Sequence, residues 1–128
     1  MLYEPLTLRS GAVLPNRLAL APLTNGQSLP DGRLGDDELA WLGRCADGGF
    51  GLLETCAAYV ALDGKAWDGE LGIDREDDLP GLTRLASAIK KHGSVAGRGT
   101  SNPAASSCHV LALHTCSPVS RWVARTPP

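Results

Sequence analysis

The chain has 128 residues, of which 43% are hydrophobic and 20% charged, so it allows one small domain and excludes a strongly charged disordered chain. No stretch approaches the roughly 18 apolar residues of a membrane span, and the formal net charge of -2 gives no reason to expect nucleic-acid binding. The N-terminus, Met1–Pro5, has no basic region followed by an apolar one, which predicts a cytoplasmic rather than a secreted protein.

The charged residues divide the chain near residue 96. Residues 1–94 carry nine basic and all 14 acidic residues, whereas residues 95–128 carry three arginines and no acid. Serine, threonine and proline together supply 12 of the 34 residues in that second stretch. We therefore expect an ordered domain over residues 1–96 and an irregular or disordered tail over residues 97–128.

The composition of the tail suggests how it arose. Glycine, alanine, proline and arginine supply 14 of the residues in 95–128. Codons for these four residues are rich in G and C, so GC-rich DNA that is read out of frame yields such a composition. Our hypothesis is that the tail is out-of-frame sequence.

The first predicted elements are short strands. Two apolar runs, residues 6–8 and 12–14, flank a turn and predict a small β-hairpin. Residues 17–21 predict a buried strand that ends at Pro22. Residues 22–35 hold repeated turn signals and predict a long loop, a kind of segment that is often functional.

A helix and a second strand follow this loop. The run Asp36–Glu38 predicts a helix start with an acidic N-cap, and Gly48 followed by Gly49 ends the helix. Residues 50–56 predict a buried strand, so strand, helix and strand form a βαβ unit with parallel strands. Residues 57–78 predict another long loop.

A second helix is predicted from Asp77 and Asp78, with Pro80 in its first turn and Gly93 at its end. Residues 94–96 open a third strand. After Ala96, neither the helical nor the strand period continues for long.

The cysteines and histidines of the tail do not predict a metal site. Cys108, His109, His114 and Cys116 lack the paired spacing of zinc ligands. A disulfide between Cys108 and Cys116 is disfavoured in the cytoplasm that we expect. We predict no metal ligands.

Several segments over about residues 2–96 carry a family resemblance in unbroken order. They are residues 16–24, residues 48–53 followed by Ala57, Val60 and Gly64, then residues 71–73, 79–82 and 92–94. Together they resemble the old yellow enzyme family, also called NADH:flavin oxidoreductases. The resemblance implies an α/β fold: the N-terminal fragment of a (β/α)₈ TIM barrel, with a small hairpin, about two and a half β/α units, and FMN at the carboxyl ends of the strands.

The resemblance also implies cofactor-binding residues. Thr24 would contact the flavin ring near its O4 and N5 atoms and tune its redox behaviour. Pro22 and Leu23 would pack beside the ring, and Ala57 is small enough to let the ring approach. No catalytic residue is assigned in this chain.

The chain departs from the family pattern at two places. Family members usually carry glutamate where Cys56 stands, and residues 97–100 occupy the stretch where a flavin-binding glutamine is expected, near residue 99. The family's substrate-orienting histidines, its proton-donating tyrosine and its phosphate-binding arginine belong to later strands, for which this chain has no counterpart.

The resemblance implies an oxidoreductase that passes a hydride from NADH or NADPH to flavin N5 and then to an activated alkene or a related small-molecule acceptor. The first alternative is a truncated, non-catalytic fragment, because such a barrel takes about 200 to 400 residues. The second alternative is a module that completes a barrel with another chain.

Overall fold

The computed structural model describes residues 1–100 of the chain. Its elements are β1 (Leu6–Thr7), β2 (Val13–Leu14), β3 (Ala19–Leu20), α1 (Asp36–Asp47), β4 (Leu52–Tyr59), β5 (Leu71–Gly72), α2 (Leu79–Lys90) and β6 (Val95–Thr100), with 3₁₀ helices at Leu62–Gly64 and Glu76–Asp78. The tail residues Cys108, His109, His114 and Cys116 lie outside the described residues. Neither helix of the described part has the length and apolar character needed to cross a bilayer.

The strands form two sheets within residues 1–100. β1 and β2 pair antiparallel, which confirms the predicted hairpin. β3, β5 and β6 each pair in parallel with β4. The successive units β3–α1–β4 and β4–α2–β6 are therefore βαβ units with parallel strands, as the sequence predicted.

The hydrophobic core lies between the sheet and the two helices. Its fully buried members are Leu42, Ala46, Leu53, Leu85, Ile89 and Ala96. Each large aliphatic side chain that is buried in this way stabilises the fold by about 1.5–3 kcal/mol. The opposite face of the sheet carries Leu52 and Glu54, whose side chains lie against Gly97 of β6.

The start of α1 differs from the prediction. Its N-cap is Gly35, with extended backbone and no side-chain cap, rather than an acidic residue. A side chain at Gly35 would collide with the backbone of Gln27, so the loop packs here only because the residue is glycine. The acidic run Asp36–Glu38 instead fills the first turn, where negative charge favours the helix dipole.

The second strand is longer than predicted. β4 continues to Tyr59, into the stretch 57–78 that the sequence assigned to a loop. The cause is a tertiary partner, since Ala58 and Tyr59 pair with Leu71 and Gly72 of β5. A short strand within a predicted loop leaves too weak a period in the sequence to be identified.

The third strand also extends beyond its predicted end. β6 runs through residue 100, so residues 97–100 belong to the sheet and not to an irregular tail. Two glycines lower the strand propensity of this stretch. Pairing with β4 outweighs that low propensity, because Gly97 and Gly99 leave room for Glu54 and Pro22.

Candidate functional site

The carboxyl ends of β3, β4 and β6 meet at one edge of the sheet. The backbone N–H of Ala57 in β4 donates to the carbonyl oxygen of Leu23 at 3.1 Å. A Cβ atom placed on Gly99 of β6 would lie 2.3 Å from Cβ of Pro22, so these two residues pack in direct contact. We call Pro22, Leu23, Thr24 and Ala57 the strand-end wall.

A β-bulge determines which residue of β4 belongs to this wall. Glu54 pairs with Gly97 and Ala57 pairs with Gly99, so two residues of β4 oppose the single Arg98 of β6. Gly97 and Gly99 share a face of the sheet, and the extra residue therefore puts Ala57 on the same face as Glu54. Strict alternation would have put Cys56 there instead.

The strand-end wall offers an apolar surface and one hydroxyl. The side chain of Leu23 is 51% exposed, Thr24 is exposed, and Pro22 and Ala57 are half-buried. The Thr24 hydroxyl makes no hydrogen bond with any other described residue. The structure therefore joins Pro22 and Leu23 to the neighbouring strands, whereas the Thr24 side chain is exposed and has no hydrogen-bond partner among the described residues.

Polar groups that the sequence did not indicate lie beside the wall. Nδ2 of Asn25 donates to Sγ of Cys56 at 2.7 Å, and Nε1 of Trp67 donates to the carbonyl oxygen of Asn25 at 2.5 Å. These partners are 31 and 42 positions from Asn25 in the chain, so no local spacing reveals them. The sequence shows only that Asn25 and Trp67 lie in the two predicted long loops, which is too little to predict these hydrogen bonds.

Cys56 is a neutral thiol rather than a nucleophile. Burial, followed by the nearby Glu38 carboxylate, raises the pKa of Cys56 to about 12. Glu38 is itself fully buried and accepts a hydrogen bond from the hydroxyl of Ser28. At neutral pH the sulfur is protonated, so it serves as an acceptor for Asn25 and not as a reactive group.

The β6 strand supplies backbone rather than an amide side chain at the position where glutamine was expected. The N–H of Gly99 donates to Oγ1 of Thr55 at 3.2 Å. Close packing on Pro22 leaves no space for a side chain at this position. No side chain at Gly99 can therefore take the place of the glutamine that the family pattern has near this position.

Glu54 is an ionisable group on the same face of the sheet as Ala57. Its carboxyl lies at 9% relative exposure, and burial raises its pKa. No side chain within residues 1–99 forms a hydrogen bond or an ion pair with it. Burial therefore favours the neutral form of Glu54, compared with a glutamate that is exposed to solvent.

The strand-end wall has the kinds of side chain that could hold the ring portion of the expected flavin. A flavin ring needs flat apolar support and a hydrogen-bond donor at its polar edge. Leu23 and Pro22 supply apolar carbon, Ala57 leaves space beside them, and Thr24 supplies a free hydroxyl. No group of three or more metal-ligating side chains occurs within residues 1–100.

Comparison with known proteins gives one family. A sequence model of the NADH:flavin oxidoreductase / NADH oxidase family matches residues 1–98. A probable NADH-dependent flavin oxidoreductase, YqiG of Bacillus subtilis, is 38% identical over 96 residues, which cover 74% of this chain and 25% of that protein. The NADH:acrylate oxidoreductase of Vibrio harveyi is 36% identical over 95 residues, which cover 74% of this chain and 9% of that protein.

Solved structures agree with the sequence relatives. A 2-naphthoyl-CoA reductase in complex with 2-naphthoyl-CoA superimposes with a TM-score of 0.75 and 28% identity, over 79% of this chain and 15% of that one. Morphinone reductase in complex with tetrahydroNAD gives a TM-score of 0.67 and 26% identity, over 76% of this chain and 26% of that one. This chain thus spans a quarter or less of the length of the first relatives that it matches.

Proposed function

Because the chain belongs to the NADH:flavin oxidoreductase / NADH oxidase family, we propose that it supplies the flavin-ring wall of an FMN-dependent NAD(P)H oxidoreductase. In this proposal residues 1–100 are the first part of a (β/α)₈ barrel, and the wall lies at the carboxyl ends of its strands, where such barrels hold their active sites. In this proposal Pro22, Leu23, Thr24 and Ala57 are the residues that contact the flavin ring, as the family resemblance implies.

One observation carries the proposal: the hydrogen bond from Ala57 N–H to the Leu23 carbonyl oxygen. It joins two segments that are far apart in the sequence and that the resemblance assigned to one flavin-binding surface. The bulge in β4 supports the same assignment, since it puts a small residue rather than Cys56 on the face of the wall.

Each residue of the wall has a distinct task. Bound FMN supplies hydride transfer between a nicotinamide nucleotide and an acceptor. Pro22 and Leu23 exclude water from the ring's side, and Ala57 leaves the space that the ring needs. The Thr24 hydroxyl would donate a hydrogen bond to the flavin ring and so would stabilise negative charge that develops there.

The acceptor in this proposal is a small molecule. The name of the Vibrio relative refers to acrylate, and a Klebsiella relative is named for fumarate, so an activated alkene that carries a carboxylate is the acceptor class that we propose. Both NADH and NADPH occur in the relatives' names. A cytoplasmic location and the absence of nucleic-acid and membrane partners stay predictions.

The proposal is tested by flavin titration of the full chain. Lumiflavin, which is the ring without the phosphate, and FMN are titrated while flavin fluorescence is followed. We expect saturable binding of both, and we expect Ala57→Leu to weaken it by roughly tenfold or more because the added carbons fill the ring's space. Ala40→Leu, at an exposed position of α1, is the matched control and should change affinity by less than about twofold. Absence of binding, or equal affinity in Ala57→Leu and the wild type, contradicts the proposal.

A second candidate is a chain that binds the ring but does not catalyse, as expected of a truncated fragment. The glycine that stands where the family's flavin-binding glutamine is expected, near residue 99, favours this candidate, because Gly99 packs on Pro22 and offers no side chain. NADPH oxidation by the full chain with FMN, measured against FMN alone, separates the two. A rate above that background supports the enzyme, and a rate equal to it supports the non-catalytic fragment.

A further inference from the structure

We propose that Asn25 is a positioning residue that fixes the orientation of Thr24 at the strand-end wall. This inference rests on the proposed function, because it gives Thr24 a partner only when a flavin is bound. Asn25 itself has no place among the residues that would touch the ring. Its role follows from what its side chain and backbone contact.

Thr24 lies between two anchors on β4. On one side, the carbonyl oxygen of Leu23 accepts from the N–H of Ala57 at 3.1 Å. On the other side, Nδ2 of Asn25 donates to Sγ of Cys56 at 2.7 Å. Because both neighbours are held by consecutive residues of one strand, the backbone at Thr24 has little freedom to turn.

The backbone of Asn25 is held as well. The indole N–H of Trp67, from the loop after β4, donates to its carbonyl oxygen at 2.5 Å. The side-chain nitrogen Nδ2 of Asn25 also donates to Oε1 of Gln27 at 3.1 Å. Both Nδ2 hydrogens therefore have an acceptor, Sγ of Cys56 and Oε1 of Gln27, which holds the side-chain amide in place.

A buried polar pair supports the sulfur that Asn25 contacts. Cys56 is 1% exposed, and Glu38 of α1 is fully buried beside it. Ser28, whose N–H donates to the carbonyl oxygen of Gly69 at 3.1 Å, gives its hydroxyl hydrogen to Glu38. Burial, followed by the nearby Glu38 carboxylate, raises the pKa of Cys56, so its sulfur accepts the amide hydrogen of Asn25 as a neutral thiol.

Thr24 has no such support of its own. Its side chain is exposed and has no hydrogen bond among residues 1–100. The backbone position from which its hydroxyl is presented is therefore set by its neighbours, and Asn25 is the neighbour whose side chain is anchored.

A double-mutant cycle on the full chain tests this role, with lumiflavin as the probe. Asn25→Ala removes the anchor, and Thr24→Val removes the hydroxyl while it keeps the shape. We expect Asn25→Ala to weaken lumiflavin binding about three- to tenfold when Thr24 is present, and less than about twofold in the Thr24→Val background. Leu29→Ala, at an exposed position of the same loop, is the control and should have little effect in either background.

Amide hydrogen exchange is the second measurement. In Asn25→Ala we expect faster exchange across residues 22–28, with α1 and β4 as protected as in the wild type. If that variant does not fold, Cys56→Ala removes the other end of the same hydrogen bond and should give the same pattern.

Three outcomes decide the matter. Equal losses of affinity with and without the Thr24 hydroxyl, or unchanged exchange in residues 22–28, overturn the positioning role. A wild-type chain that binds no lumiflavin contradicts the proposed function instead. In that case exchange alone decides whether Asn25 anchors the loop: faster exchange supports the anchor, and unchanged exchange overturns it.

Discussion

Glu54 is a buried carboxyl on the face of the sheet opposite the helices. It lies on the same side of the sheet as Ala57, and its carboxyl is buried without a polar partner among residues 1–99. Burial raises its pKa, which means that the folded protein binds this proton more tightly than the unfolded chain does. The stabilising contribution is present below the ordinary glutamate pKa of about 4.3 and is lost as the pH rises through the higher folded value.

Because the ionised Glu54 carboxyl destabilises the fold, Glu54→Gln should stabilise it at neutral pH. The variant should unfold at higher denaturant concentration than the wild type at about pH 7, and the difference should shrink towards zero at about pH 4, because the wild-type carboxyl is then neutral. Urea denaturation at several pH values measures it. Glu76→Gln, at an exposed glutamate, is the matched control and should show no such trend. A lower stability of Glu54→Gln at pH 7 would contradict the account.

At the residue scale, the resemblance indicated Thr24 and Ala57, and their contact with a flavin stays a prediction. The structure joins Ala57 to Leu23, the neighbour of Thr24, by a backbone hydrogen bond. Asn25 and Trp67 were not indicated, because hydrogen bonds between distant loops leave no trace in local composition. The pKa of Cys56 likewise depends on Glu38, which only the packing of α1 against β4 brings near.

The elements were more predictable than their ends. The helices were foreseen from apolar spacing and terminal glycines, and the parallel pairing followed from the βαβ order. The ends of β4 and β6 were set by pairing partners, and the bulge opposite Arg98 was set by the register of two strands. Neither effect is encoded by the period of one segment alone.

Alanine substitutions at two glycines, Gly99 in β6 and Gly43 in α1, should have opposite effects on stability. Gly99→Ala should destabilise the fold by about 1–3 kcal/mol, because the new methyl group would lie 2.3 Å from Cβ of Pro22. Gly43→Ala, in the interior of α1 with nothing within 4 Å, should stabilise it by about 0.5–1 kcal/mol. Urea denaturation of both variants measures the two effects. A Gly99→Ala protein as stable as the wild type would show that β6 does not pack on Pro22.

At the scale of the whole molecule, the division near residue 96 is only partly reflected in the structure. The strand β6 crosses this boundary, and the family match extends to residue 98. In residues 1–100 three strands, β3, β5 and β6, pair in parallel with β4, with helices on one face and Leu52, Glu54 and Gly97 on the other. A sheet of this kind is normally covered on both faces. Leu52 and Glu54 on the second face are accordingly buried, at 7% and 9% relative exposure.

Backbone amide chemical shifts measure whether the strand-end wall binds a flavin ring. The isotope-labelled full chain is titrated with FMN, and the shifts of the backbone amides are followed. We expect saturable shifts at Leu23, Thr24, Asn25 and Ala57, with the hairpin over residues 6–14 unchanged. Saturable shifts confined to other parts of the chain, or none at these four amides, would contradict it.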